Sequence, residues 1–170
     1  LTAYYAGEVE AINTIPPQIA KSMQERGIKI IDLTLPRVFA IFFNQNHSKA
    51  TADKAVRKAL NSAIDRNDIV NKILLGFGTE ISGPIMNNKM TEATKIASST
   101  DRIANAKKIL TSGGWKFNTK KNVWEKTAKK VTTTLSLDIS TADTPELKSA
   151  TELIKKDWEG LGVKVGLKIF

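Results

Sequence analysis

The sequence contains no cysteine, which excludes disulfide bonds and zinc–thiolate centres. Its single histidine, His47, would have to serve any Ser-His-Asp arrangement, and no nucleophile-elbow motif accompanies it. The longest apolar run, residues 38–43, is far shorter than the about 20 residues that a membrane-spanning helix needs. The first residues include neither a starting methionine nor a basic leader segment, so we expect the chain to begin within a longer gene product.

Positive charge is in excess. The 170 residues carry a net charge of +9, and lysine supplies most of it. A nucleic-acid-binding domain usually groups arginine and lysine on one face, with aromatic residues between them. The lysines here are distributed over every predicted element, which is typical of a solvated surface. We therefore expect residues 1–170 to form a single partial domain with a sizeable core and no nucleic-acid partner.

A search for catalytic chemistry yields little. Glu8 and Glu10 would share one face of a strand, as paired carboxylates do in acid–base catalysis, but exposed edge charges explain them equally well. The Gly-Phe-Gly of residues 76–78 lacks a third glycine and follows a helix, which does not fit a phosphate-binding loop. The acidic residues are too scattered for a metal site. We expect no catalytic residue, no metal and no cofactor, and we assign four large aromatic residues to the core: Trp115, Phe117, Trp124 and Trp158.

The hydrophobic periodicity predicts helices mixed with strands. The helices are expected at 17–26, 53–64, 67–75, 101–112 and 145–160, with Asn67, Asp101 and Thr144 as caps. The strands are expected at 28–33, 37–44, 131–139 and 163–169, with a small hairpin around residues 118–122. Residues 76–100 are predicted to form a long polar excursion.

The last third of the chain predicts a βαβ unit. Strand 131–139, helix 145–160 and strand 163–169 follow one another, so the two strands should be parallel with a right-handed crossover. The chain stops at Phe170, inside the last strand, which we interpret as a truncation. The fold class is α/β or α+β, with a mixed β-sheet flanked by helices.

The candidate ligand site lies where strands lead into helices. Thr141, Asp143, Thr144 and Glu146 follow an alternating strand, and the next helix offers free N–H groups and the positive end of its dipole. A capped turn exposed to water would also explain them. The second set is Asn44 and Gln45, which leave the most apolar strand. If the two strands are parallel, both loops meet at one edge of the sheet, facing an absent lobe.

Four stretches resemble the extracellular solute-binding proteins of family 5, the oligopeptide-, dipeptide- and nickel-binding components of ABC transporters. Residues 6–10 resemble the family's small-Gly-Glu-Ile-Asp segment. Phe42-Phe43-Asn44 followed by the helix 53–66 resembles its best-known signature. Residues 106–115 and 153–165 resemble its Ala-x-x-Leu-Leu…Gly-aromatic and Ile-Gly-Ile-x-Val endings.

The resemblance implies a truncated lobe of the periplasmic-binding-protein type II kind, taken from the second large lobe of a two-lobed receptor. The implied receptor lies outside the cytoplasm, in a periplasm or lipid-anchored on the cell surface. Its implied partners are a peptide or small-molecule solute, the ABC permease membrane subunits and the missing lobe of the same chain. In the family, the loop matching residues 140–146 supplies ligand contacts, often a cation for a peptide carboxylate. No cation occurs there, which leaves the ligand class open.

Other functions remain as alternatives. A sensory or interaction module could use the same fold without transport, and a basic nucleic-acid-binding domain is a weaker alternative. An enzyme is the least favoured because the residues for catalysis are missing.

Overall fold

The structure is a computed structural model, and it describes residues 1–33, 35, 37–81, 83 and 99–170. The helices are α1 (Thr2–Tyr5), α2 (Pro17–Glu25), α3 (Lys49–Ala52), α4 (Lys54–Ala63), α5 (Arg66–Asp68, continued by a π-helical turn Ile69–Ile73), α6 (Ser99–Ser112) and α7 (Pro145–Leu161). The strands are β1 (Lys116–Asn118), β2 (Val123–Ala128), β3 (Val131–Thr134), β4 (Ser136–Thr141) and β5 (Lys164–Ile169). Most of the excursion expected at residues 76–100 lies outside the described residues.

Helix α4 supplies the centre of the core. Its sequence puts apolar residues at helical spacing on one face, and Asp53 starts the helix by accepting the Ala55 N–H with its side chain at 2.8 Å. The helix packs on α6 and α7. The three tryptophans join this core, as expected, whereas Phe117 remains 40% exposed. The buried residues of α4 are Val56, Ala59, Leu60 and Ala63.

The expected βαβ unit is present as β4–α7–β5. The two strands pair in parallel over their full length, from Ser136 opposite Lys164 to Thr141 opposite Ile169. Helix α7 lies between them in sequence and buries one stripe. Gly162, in the left-handed region at φ +92°, ends the helix and turns the chain back into β5. The α/β fold class is thereby confirmed.

The single strand expected at 131–139 is in fact two strands. Strand β3 pairs antiparallel with β2, whereas β4 pairs parallel with β5. The change of partner occurs at Leu135, which is fully buried. Its N–H donates to the Trp124 carbonyl at 2.8 Å, and its carbonyl accepts from the Lys164 N–H at 3.3 Å. Alternation of apolar residues continues through this point, so the pattern could not indicate the switch.

The strands expected before α3 are not found. Residues 28–33, 35 and 37–44 have no regular secondary structure and pair with no strand among the described residues. The segment 37–44 was expected to be covered on both faces, yet Phe42 is 91% exposed. A strand requires a hydrogen-bonding partner as well as suitable residues, and the described part of the chain offers none to this segment. Residues 8–12 likewise contain no strand, so Glu8 and Glu10 do not share a strand face.

Three expected caps differ in detail. Asp65, not Asn67, caps α5, because its carboxylate accepts the Asp68 N–H at 3.1 Å. Helix α6 begins at Ser99, so Asp101 stands in its first turn. Thr144 precedes α7 as expected, but its side chain makes no capping hydrogen bond.

Within the described ranges, none of the helices has the length and apolar character needed to cross a bilayer.

Candidate functional site

The carboxyl ends of β4 and β5 form one edge of the parallel sheet. Thr141 lies opposite Ile169, and the Phe170 N–H donates to the Thr141 carbonyl at 3.0 Å. The Asp143 N–H donates in turn to the Phe170 carbonyl at 2.9 Å. These two bonds fix the loop between β4 and α7 against the end of β5. Ligands of α/β proteins commonly bind at such an edge.

The start of α7 leaves backbone donors available at this edge. In the part of the chain that the structure describes, the Glu146 and Leu147 N–H groups have no hydrogen-bond acceptor. Thr144, whose side chain could have capped them, makes no such bond. Free N–H groups and the helix dipole together favour a carbonyl or carboxylate oxygen at this position. The loop can therefore bind an acceptor without a side-chain cation.

The side chains at this edge are polar in the loop after β4 and apolar at the residue after β5. Asp143 and Thr144 are exposed, while Thr141 and Glu146 are half-buried. Phe170 is 81% exposed and lies beside Thr141 through the backbone bond described above. Sequence reasoning missed Phe170 as a site residue, although the expected parallel pairing of β4 and β5 already placed both strand ends together.

Asn44 is held in a local turn. Its side-chain oxygen accepts the N–H groups of Asn46 and His47, each at 3.1 Å, and its carbonyl accepts the Thr51 hydroxyl at 2.8 Å. Gln45 is exposed beside it. This turn leads directly into α3. The structural role of Asn44 is therefore to hold the turn before that helix.

The two halves of the expected site do not meet. Phe43, next to Asn44, stacks on Trp158 with ring centroids 6.2 Å apart. Trp158 is 13 residues after Pro145 in α7, which is about 20 Å along the helix axis. The Asn44–Gln45 turn therefore lies toward the end of α7, whereas Thr141–Glu146 lies at its beginning. The expectation of one shared edge is not met, because residues 37–44 do not join β4 as a parallel neighbour.

Two open depressions lie away from this edge. One, of about 420 Å³, is beside Asn122 and the beginning of β5, and the other, of about 510 Å³, is on the β1–β2 hairpin. The first is near the beginning of the parallel strands and the second is on the antiparallel sheet, so neither is assigned to the ligand. Among the described residues no group of three or more His, Asp and Glu side chains converges as a metal site would require.

The sequence profile of the bacterial extracellular solute-binding proteins, family 5 Middle, matches residues 1–170, the whole chain. The chain belongs to the family-5 solute-binding proteins. This confirms the family that the four sequence stretches resemble, and with it the periplasmic-binding-protein type II fold class.

Individual relatives agree. NikA from Brucella suis, solved in complex with Fe(III)-EDTA, is 26% identical with a TM-score of 0.75 over 99% of this chain and 34% of its own. The oligopeptide-binding protein AppA from Bacillus subtilis, in complex with a nonapeptide, is 22% identical with a TM-score of 0.57 over 73% of this chain and 24% of its own. The likeness to AppA concerns the fold alone.

Protein XP55 from Streptomyces lividans is 38% identical over 68 residues, which are 40% of this chain and 12% of that protein. The chain thus spans about a third or less of the length of each of these three proteins.

Proposed function

We propose that this chain is part of the ligand-closing lobe of a receptor that captures a peptide or a similar small solute outside the cytoplasm and delivers it to an ABC permease. The match to the family-5 profile over residues 1–170 carries the proposal. The likeness to NikA over 99% of the chain supports it, because the whole chain, and not one motif, follows a solute-binding protein.

The ligand would bind at the edge formed by the ends of β4 and β5. The unpaired N–H groups of Glu146 and Leu147 are suited to a carbonyl oxygen. Asp143 and Glu146 bring negative charge to the same place and disfavour a free carboxylate. The combination favours neutral peptide groups or a positively charged solute, with the exposed Phe170 ring as an apolar contact. Asn44 and Gln45 as ligand contacts stay a prediction.

Titration calorimetry of the full-length protein with a mixed library of short peptides and with nickel chelates tests this site. Asp143→Asn and Glu146→Gln should each weaken the binding of a cationic ligand about tenfold to 150-fold, the range of one charged hydrogen bond. The control is Glu152→Gln, an exposed carboxylate of α7 two turns from the loop. Equal effects of Glu152→Gln and Asp143→Asn, or no effect of any of them, would contradict the site.

The same titration of the 170-residue chain alone distinguishes the lobe from a self-sufficient domain. Two-lobed receptors gain affinity by enclosing the ligand, and a single lobe makes only part of the hydrogen bonds and desolvation. The chain alone should give no heat above dilution with the peptides that the full-length protein binds. Micromolar binding by the chain alone would refute the enclosure on which the proposal depends.

A further inference from the structure

The antiparallel sheet of β1, β2 and β3 carries much of the positive charge. Residues 116–132 hold six lysines and one glutamate, a net charge of +5 of the chain's +9 on a tenth of its length. The sequence pattern alone suggested an even distribution of lysine. These six are nevertheless close in sequence, and the structure folds their segment into one small sheet with its turns: Lys116, Lys120, Lys121, Lys126, Lys129 and Lys130.

Two of the six lysines are engaged in ion pairs. Lys126 bonds Asp53 at 2.8 Å, and Lys121 bonds Glu125 at 2.9 Å. The other four make no ion pair with any described residue. Their charge is therefore available to a partner outside the chain. They are Lys116, Lys120, Lys129 and Lys130.

These four lysines are spread along the sheet and do not converge on one point. Lys120 is in the turn before β2, and Lys129 and Lys130 form the turn after it, so six residues of strand, about 17–20 Å, separate the two turns. Lys116 lies between the two turns, where it is the cross-strand neighbour of Glu125 in the β1–β2 ladder. The pairing register places Lys116 on the same face as three exposed threonines: Thr127, Thr132 and Thr134.

The β2–β3 turn combines charge with an apolar side chain. Lys129 and Lys130 both adopt positive φ, +48° and +65°, as in a tight two-residue hairpin turn. Val131, directly after it, is 54% exposed, and the register places it on the face of the sheet opposite Lys116, at the end where the two turn lysines stand. Exposed lysines beside an apolar residue are a composition found where proteins contact the boundary between lipid headgroups and acyl chains.

We propose that this lysine-bearing sheet, residues 116–132, docks on the surface of an anionic lipid bilayer. A spread of charge over about 17–20 Å suits an extended anionic plane and does not suit a small anion, which needs converging donors. The surface lies apart from the candidate ligand edge, because β3 leads into the beginning of β4 and the ligand edge is at its end. The two surfaces can act at the same time, so the inference goes beyond the proposed function.

Co-sedimentation with vesicles tests the proposal. Vesicles of phosphatidylcholine and phosphatidylglycerol in roughly equal amounts should retain the chain at low salt and release it at high salt, whereas pure phosphatidylcholine vesicles should not retain it. The double variant Lys129→Gln, Lys130→Gln should bind the anionic vesicles about twentyfold less, since each lysine near such a surface strengthens binding about fivefold.

A charge-matched control separates this surface from net charge. Lys148→Gln with Lys156→Gln removes two exposed lysines from α7, and both double variants lower the net charge from +9 to +7. The control should lose less than about threefold. Equal loss in the two double variants would show that net charge alone acts and would overturn the proposal.

Four further outcomes would also overturn the proposal. Equal retention by pure phosphatidylcholine vesicles, or no retention by anionic ones, overturns the proposal. Binding of soluble polyphosphate with the same loss in the Lys129, Lys130 variant, but without vesicle binding, assigns the sheet to a soluble polyanion and overturns the bilayer. If that variant melts at a lower temperature, Lys116→Gln with Lys120→Gln repeats the measurement, and full retention of vesicle binding by it also counts against the proposal.

Discussion

At the scale of single residues, Asp53 connects three parts of the core. One carboxylate oxygen accepts the Ala55 N–H at 2.8 Å, and the other accepts the Trp115 indole N–H at 3.1 Å and the Lys126 ammonium at 2.8 Å. Burial alone would raise the pKa of Asp53, but the hydrogen bonds from Lys126, Ala55 and Trp115 outweigh it and lower the pKa below 3.8. The ionised carboxylate therefore stabilises the fold.

Two substitutions of Asp53 should separate the stability that comes from its hydrogen bonds from the stability that comes from its charge. Asp53→Ala removes the helix cap and leaves the buried Trp115 N–H without its acceptor, so it should lower the free energy of unfolding by about 2–4 kcal/mol at neutral pH. Asp53→Asn keeps an acceptor oxygen and should cost less than half as much. Because the folded pKa is lowered, the contribution of Asp53 is fully present above pH 3.8 and is lost as the pH falls below it.

Urea unfolding at several pH values measures both effects. Wild type and Asp53→Asn should converge in stability as the pH falls toward the lowered pKa. An Asp53→Ala protein as stable as wild type at neutral pH would contradict the role of this carboxylate.

The pKa of Asp157, on α7, is shifted in the opposite direction. Its carboxylate accepts the Asp65 N–H at 2.9 Å, near the ion pair of Asp65 with Arg102. Burial raises the pKa of Asp157, and the Asp65 and Asp68 carboxylates add to this, while the Asp65 N–H and Arg102 oppose it. Ionisation of Asp157 is therefore less favourable in the folded chain than in the unfolded chain.

Asp157→Asn should stabilise the chain near neutral pH. Stability of the wild type falls as the pH rises from 3.8 through the raised pKa, and asparagine removes that loss while still accepting the Asp65 N–H. The thermal midpoint of the variant should exceed that of wild type at pH 7, and the difference should vanish in acid. A variant less stable than wild type at pH 7 would show that the charge on Asp157 is needed.

At the scale of elements, two glycines near the end of α7 have different roles. Gly162 has φ +92°, and a Cβ there would stand 2.6 Å from the Phe117 ring. The same ring packs edge-to-face on Trp124 at 5.3 Å, and Trp124 donates its indole N–H to the Leu161 carbonyl at 2.8 Å. Gly160 has open space around it and lies inside the helix.

Alanine at these two positions should have opposite effects. Gly162→Ala forces a side chain into the left-handed region and against Phe117, and should cost about 1–3 kcal/mol. Gly160→Ala adds helix propensity without a clash and should stabilise by up to about 1 kcal/mol. Thermal or urea unfolding of the pair measures this directly. Destabilisation by Gly160→Ala would contradict the open space around this helical residue.

Elements whose residues specify them locally were predictable. Helices α4 and α7 combine an apolar stripe with a start in their own sequence, α7 also ends at its own Gly162, and the β1–β2 hairpin is equally local. Elements that depend on distant partners were not. Leu135 divides one alternating run between two sheets, and no residue within the run encodes which strand will pair with it.

At the scale of the whole molecule, the sequence indicated the family and half of the candidate edge. The loop before α7 could be found because a strand end followed by Thr144-Pro145 is a local pattern. The position of Asn44 could not, because it depends on the stacking of Phe43 on Trp158, 115 residues later in the chain. Phe170 likewise enters the edge only through the pairing of β5 with β4.

The unpaired apolar segment before α3 affects the solution behaviour of the isolated chain. Residues 38–43 are six consecutive apolar residues, with Phe39 65% and Phe42 91% exposed and no strand beside them in the described part of the chain. An apolar, uncharged segment that is unpaired in its own chain can pair with another copy of itself and grow into cross-β aggregates. Light scattering of the isolated chain should therefore rise with concentration and time, and Phe42→Lys should slow the rise. Phe170→Lys, which replaces a ring of similar exposure outside this run, should leave the rate unchanged if the aggregates nucleate at residues 38–43.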